Sequence, residues 1–131
     1  MSESLPSAGL KVLLIEDNEL NQKFAFAVLK RFGHTADIAE NGRIGCDLFL
    51  ANKYDLILMD IQMPIMNGIE ASIEIRRLEK ERNLGHIPII AVTAFAMEHD
   101  RRNCMDAGMD EFLTKPYKPA DLEHKIKTVL K

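Results

Sequence analysis

Five polar residues stand where short apolar runs end. Glu16 and Asp17 follow Val12-Leu13-Leu14-Ile15, and Asp60 closes Leu56-Ile57-Leu58-Met59. Thr93 closes Ile87-Pro88-Ile89-Ile90-Ala91-Val92, and Lys115 follows Phe112-Leu113-Thr114. Three carboxylates in one pocket repel one another, a strain that protonation or a divalent cation relieves. Oxygen donors without His or Cys suit a hard cation such as Mg²⁺, which takes one or two carboxylates, keeps waters and accepts phosphate oxygens. The Lys115 ammonium and the Thr93 hydroxyl would complete a phosphate site. A carboxylate can itself attack phosphorus to form an acyl phosphate, and phosphoryl transfer mainly needs in-line positioning and neutralised charge. Taken singly, each of these residues also reads as a helix cap or a solvated charge. The chemical reading rests on four strand ends carrying them together.

That chemistry requires the runs to be parallel strands. A continuous apolar run bounded by turn signals reads as a strand buried on both faces. Each interval between runs has room for one helix, and right-handed crossovers return every strand in the same direction. All the C-terminal ends then meet on one edge, where open α/β sheets bind ligands. Thr35 to Ala39 contains Asp37 and the Phe112 run carries Glu111, so these two mixed strands belong at the sheet's edges. The expected fold is α/β: a flavodoxin-like, doubly wound (βα)₅ three-layer sandwich with five parallel strands in the order 2-1-3-4-5.

The helices follow from caps and spacing. Asn18 caps the first, with Glu19 in its first turn and Gly33 as its stop, and the spacing predicts Leu20, Phe24, Ala27, Val28 and Phe32 on the inner face. The second runs from the Asn41-Gly42 turn to about Ala51 and should bury Ile44, Leu48 and Phe49. The third spans about Gly68 to Glu81 with Ile69, Ile73 and Arg76 on one face. The fourth, Glu98 to Ala107, is polar and ends at Gly108. The last starts at Pro119 and turns Leu122, Ile126, Val129 and Leu130 inward.

Composition narrows the function. At 131 residues, 47% hydrophobic and 28% charged, the chain is one ordinary globular domain, expected over residues 10–131 after a loose tail over residues 1–9. A net charge of −3 gives no reason to expect nucleic acid or a membrane surface as partner. No apolar run approaches the ~20 residues of a membrane helix, and the N-terminus lacks the pattern of a signal peptide. Two cysteines without metal spacing read as free thiols in a reducing, cytoplasmic compartment.

At these residues the chain resembles the receiver domain of two-component response regulators (CheY-like receivers), from about Leu10 to Leu130. The matching words are Leu14-Ile15-Glu16-Asp17-Asn18, Met59-Asp60-Ile61-Gln62-Met63-Pro64, Asn67-Gly68, Val92-Thr93-Ala94 and Thr114-Lys115-Pro116. Each is weak alone; the ordered set is specific. The wording is closest to receivers of hybrid histidine kinases and to some stand-alone regulators. The resemblance implies that Asp60 accepts phosphate from the phosphohistidine of a histidine kinase or histidine phosphotransfer protein. It implies Mg²⁺ held by Asp17 directly, by Glu16 mainly through water, by Asp60 and by the Gln62 backbone carbonyl. Thr93 and Lys115 would hold the phosphoryl oxygens, Ala94 would leave room for them, and Phe112 would be the aromatic that packs inward when Thr93 moves. The Lys115–Pro116 peptide would be cis. The chain would be no enzyme beyond self-catalysed phosphotransfer and autodephosphorylation. It would be a phosphoprotein that signals to a downstream protein target as a monomer or a phosphorylation-dependent dimer.

Two positions depart from the commoner pattern: Glu16 stands for Asp, and Asn67 for Asp. The longer Glu16 arm bears on the metal contact, whereas an Asn-Gly turn is chemically compatible. A haloacid-dehalogenase-type aspartyl-phosphate phosphatase wants a second Asp where Gln62 stands. A flavodoxin-like FMN carrier wants a phosphate-binding loop where Glu16-Asp17 would repel the phosphate. The sequence ends about one residue past the last expected helix, as expected of a stand-alone regulator or of a receiver taken from a hybrid kinase.

Overall fold

The computed structural model describes residues 9–94 and 97–130. Ten elements alternate: β1 (Lys11–Ile15), α1 (Glu19–Arg31), β2 (Thr35–Ala39), α2 (Gly42–Ala51), β3 (Leu56–Asp60), α3 (Gly68–Arg82), β4 (Ile89–Thr93), α4 (Glu98–Asp106), β5 (Glu111–Thr114) and α5 (Pro119–Val129). The strands form one parallel sheet in the order β2-β1-β3-β4-β5, as expected. Its register sets Ile15 beside Met59, Asp60 beside Val92, and Thr93 beside Thr114. The expected tail falls on residues 1–8, outside the described residues, except for Gly9.

β3 and β4 are buried along their whole length, and β1 along all but Lys11. Successive side chains of a strand point to opposite faces, and the core divides accordingly. Leu13, Ile15, Ile57, Met59, Ile89, Ala91 and Phe112 pack with residues of α2, α3 and α4. Val12, Leu14, Leu56, Leu58, Ile90, Val92 and Leu113 pack with residues of α1 and α5. Two covered faces require apolar residues at every strand position, which is why these runs do not alternate.

The inner faces of three helices differ from expectation. In α1, Leu20 and Phe24 are exposed and Ala25, Val28 and Leu29 face the sheet. Small Ala25 lets the helix lie close, while the Phe24 ring tilts against Tyr117 with centroids 5.3 Å apart. In α2, Ile44 is exposed and Leu48 only half-buried; Gly42, Gly45, Cys46 and Phe49 are buried. The glycine face wins because Gly45 sits against Ile15, where a Cβ would collide with the Ile15 side chain. In α3, Ile73 is 55% exposed and the inner face is Ala71, Ser72, Ile75, Leu78 and Glu79. Arg76 lies beside that face for a polar reason. Its Nε donates to the Gly108 carbonyl at 2.8 Å, and its two terminal nitrogens pair with Glu79 at 2.7 Å and Asp110 at 2.8 Å. The Asp110 carboxylate also accepts the Ile89 N–H at 2.8 Å, so the clamp joins α3 to the starts of β4 and β5. The expected inner face of α5 is correct: Leu122 and Ile126 are buried, and Val129 and Leu130 half-buried. β4 begins at Ile89 rather than Ile87; Pro88 has no N–H to give a ladder, although its carbonyl accepts from Ile57 N at 2.9 Å. Cys46 and Cys104 are free and buried.

Candidate functional site

The five residues meet at the C-terminal edge of the sheet. The Glu16 N–H donates to the Ala39 carbonyl at 2.9 Å, which carries the chain straight out of β1. Asn18 then caps α1 by accepting the Asn21 N–H at 2.9 Å. Glu16 is buried and its carboxylate is held from several sides. One oxygen accepts the Asn18 N–H at 3.2 Å and the Asn21 amide at 3.5 Å; the other lies 3.0 Å from Lys115 Nζ. The Gln22 amide donates to the Glu16 carbonyl at 2.7 Å. Asp17 is exposed beside it.

Asp60 ends β3 and is 7% exposed. Its Oδ1 lies 3.5 Å from Lys115 Nζ. One carboxylate oxygen from each of Glu16, Asp17 and Asp60 can be chosen so that all lie within 4.8 Å of one another. Burial first, and then the Glu16 carboxylate, push the Asp60 carboxyl up to about 7; the Lys115 ammonium opposes them. Three carboxylates against one ammonium leave the pocket short of positive charge, and a small hard cation fits that deficit.

The turn after Asp60 is built from backbone constraints. The Gly68 N–H returns to the Ile61 carbonyl at 2.8 Å, and the Met66 N–H to the Pro64 carbonyl at 2.7 Å. Between the latter two, Ile65 takes φ 72°, a left-handed conformation rare for a β-branched residue, with its side chain 81% exposed. Asn67 and Glu70 then close a capping box at the head of α3. Gly68 has no room for a side chain: a Cβ would collide with the Asp60 carbonyl oxygen and lie 2.9 Å from Ile61 Cα.

Thr93 is buried at the end of β4. The Lys115 N–H donates to its carbonyl at 2.8 Å, which fixes Lys115 beside it, and the Lys115–Pro116 peptide is cis. Ala94 is exposed and lines a cavity of about 440 Å³ together with Glu16, Asn21, Phe24, Asp60, Lys115 and Tyr117. Gln62 is exposed and lines a smaller cavity of about 70 Å³ with Ile61, Ile69, Thr93, Asp100 and Cys104. Phe112 stands apart from the carboxylates, 6% exposed in the core between β5 and the helices of that face. The structure thus gathers Glu16, Asp17, Asp60, Thr93 and Lys115, and sets Phe112 and Gln62 at one remove. Sequence reasoning missed Asn21 and Gln22. The signal was available: a helix capped at Asn18 turns Asn21 and Gln22 back toward the strand that precedes it.

The chain matches the response regulator receiver domain family over residues 12–127. It is 45% identical over 123 residues to hybrid signal transduction histidine kinase I of Dictyostelium discoideum, covering 90% of this chain and 7% of that protein. It is 37% identical over 125 residues to the aerobic respiration control sensor protein ArcB of Escherichia coli K12, covering 95% of this chain and 16% of that protein. Among solved structures it resembles the receiver domain of sensor histidine kinase PA1611 from Pseudomonas aeruginosa PAO1, which has a magnesium ion coordinated in the active site cleft. The TM-score is 0.84 at 38% identity, over 94% of this chain and 98% of that one. It also resembles a co-crystal of the Saccharomyces cerevisiae histidine phosphotransfer protein Ypd1 with the receiver domain of its downstream response regulator Ssk1. There the TM-score is 0.85 at 30% identity, covering 93% of this chain and 89% of that one. From the ordered strand-end residues, the 2-1-3-4-5 sheet and these matches together, the chain belongs to the receiver domain family of two-component response regulators.

Proposed function

We propose that the chain accepts a phosphoryl group on Asp60 from the phosphohistidine of a histidine kinase or histidine phosphotransfer protein, and passes the signal to a downstream protein. The observation that carries this is the setting of Asp60: buried at the end of the central strand β3, with Glu16 and Asp17 oxygens within 4.8 Å and Lys115 Nζ at 3.5 Å. An Asp60 carboxylate oxygen attacks phosphorus; the new O–P bond forms as the N–P bond breaks, and the electron pair leaves with the imidazole nitrogen. Lys115 lies close enough to turn from Asp60 and Glu16 to a phosphoryl oxygen, and the Thr93 hydroxyl takes a second one. Ala94 leaves the approach open. Glu16, Asp17, Asp60 and the Gln62 carbonyl would hold Mg²⁺, which neutralises the crowded oxygens when bound. The chain's only chemistry is then its own phosphorylation and dephosphorylation, in the cytoplasm.

The partner class has two supports. The yeast co-crystal pairs a related receiver with a histidine phosphotransfer protein. In addition, α1 leaves Leu20 76% and Phe24 45% exposed, and Phe24 lines the cavity that holds Asp60. A phosphohistidine-bearing partner lands on that apolar rim. The two rival readings fare worse on the same geometry. Gln62, where a phosphatase wants its second Asp, is an amide on an exposed loop, and the Glu16 and Asp17 carboxylates would repel an FMN phosphate.

Incubation with acetyl phosphate and Mg²⁺ should add one phosphoryl group by intact mass, labile to hydroxylamine, and Asp60→Asn should gain none. An Asp60→Asn protein that still gains a hydroxylamine-labile group would overturn the assignment.

A further inference from the structure

Gln22 lies one turn into α1 and reaches back to the end of β1. Side chains of a helix lean toward its N-terminus, so a residue at this depth overhangs the strand from which the helix departs. The Gln22 backbone is fixed in the helix, its N–H donating to the Asn18 carbonyl at 2.9 Å. Its half-buried side-chain amide donates to the Glu16 carbonyl at 2.7 Å. A peptide unit is planar, so the bond that orients this carbonyl also orients the N–H and Cα of Asp17. On the other side of Glu16, its N–H is held by the Ala39 carbonyl at 2.9 Å. Both peptides that flank Glu16 are thus fixed, one from β2 and one from α1. The Glu16 carboxylate has holders of its own, the Asn18 N–H at 3.2 Å and Lys115 Nζ at 3.0 Å. Asp17 is exposed, so its backbone rather than packing directs it. From that backbone its carboxylate comes within 4.8 Å of oxygens of Glu16 and Asp60.

We propose that Gln22 is a positioning residue for the cation site: by holding the peptide between Glu16 and Asp17, it presents the Asp17 carboxylate to the oxygens of Glu16 and Asp60. This rests on the reading of that trio as a Mg²⁺ site beside an acceptor aspartate. The same bond also satisfies the carbonyl of a buried residue, a service that alone would favour folding and not the cation. Hydrogen bonds that orient metal-binding residues typically change metal affinity about 10- to 100-fold. The lower figure applies here, because Ala39 keeps its hold on Glu16 from the other side.

The test compares wild type with Gln22→Met, which keeps the volume without a donor, and Gln22→Asn, which keeps the amide on an arm one methylene too short. The order parameter of the Asp17 N–H is measured by nitrogen relaxation in the metal-free protein, and Mg²⁺ is then titrated against amide signals next to Asp60. Wild type should give an Asp17 value in the rigid range, about 0.85. Both variants should lower it toward the flexible range, about 0.6, while α1 stays rigid. Both should also raise the Mg²⁺ midpoint about tenfold. Equal midpoints in wild type and Gln22→Met, or an Asp17 N–H as rigid in the variants as in wild type, overturn the role of Gln22 even where the variants melt lower, and leave Asp60 as acceptor. Wild-type signals that do not respond to Mg²⁺ overturn both this role and the reading of the trio.

Discussion

Asp60 is a carboxyl whose surroundings favour its neutral form: burial and the Glu16 carboxylate push it from near 3.8 up to about 7, against Lys115. A folded-state value above the unfolded one means that the native chain holds the proton more tightly. The stability this contributes is complete below the unfolded value and is lost as pH rises through the folded one. Without metal, then, the protein should lose stability between about pH 4 and pH 7. Asp60→Asn should remove this loss. At about pH 7.5 in a chelator the variant should be more stable than wild type by at least about 1.4 kcal/mol, the worth of one pKa unit, with the gap closing near pH 4. Urea melts at the two pH values check this; a variant no more stable than wild type at the higher pH contradicts it. The two neighbouring acids should separate in a metal titration. Asp17→Asn should abolish Mg²⁺ binding, because Asp17, the exposed member of the pair, is the proposed direct donor. Glu16→Asp should leave it largely intact, although the shorter arm gives up the 3.0 Å contact with Lys115. Calorimetric titration that finds equal losses would break that assignment.

The turn between β3 and α3 sets where the Asp60 backbone sits, and two adjacent residues hold it differently. Asn67 supplies one half of a capping box, which typically contributes about 1 kcal/mol. Gly68 supplies absence: a methyl group there meets the Asp60 carbonyl oxygen and Ile61 Cα, backbone atoms that cannot rotate away. Gly68→Ala should therefore cost more than Asn67→Ala in thermal melts, and it alone should also slow phosphorylation by acetyl phosphate, since the turn must shift to make room. Similar losses for both variants would mean that the turn yields more easily than its packing indicates. The clamp of Arg76 on Gly108 and Asp110 works at the same scale on the opposite edge of the sheet, where it fixes the starts of β4 and β5 without touching the site.

Across the whole molecule, the proposed metal site is linked to folding. The acidic trio is assembled only when β1 and β3 lie side by side, so a Mg²⁺ ion held there would bind the folded chain and stabilise it. At 100 times the dissociation constant the gain is about 2.7 kcal/mol, or several degrees in a domain of this size. Addition of Mg²⁺ should raise the melting temperature of wild type and chelation should reverse the rise, while Asp17→Asn should melt at one temperature in both. No described helix is long and apolar enough to cross a membrane.

The strand runs and the chemistry at their ends were legible in the sequence because a strand buried on both faces has one solution: every position apolar, polar groups only where the strand stops. Crossover handedness then brings Glu16, Asp17, Asp60, Thr93 and Lys115 to one edge. The helices were not legible in the same way. Leu20, Phe24 and Val28 keep a helical spacing as good as that of Ala25, Val28 and Leu29, and the sheet chose the stripe with the smaller residue. Ile73 lost its place to Ala71 and Ile75 for the same reason of close approach. Contacts between distant segments were the tertiary structure's alone to decide: Arg76 on Gly108, Arg101 over Phe112, and Lys115 shared between Glu16 and Asp60. These depend on side-chain volumes and charges meeting across the sheet, and no local period in the chain encodes them.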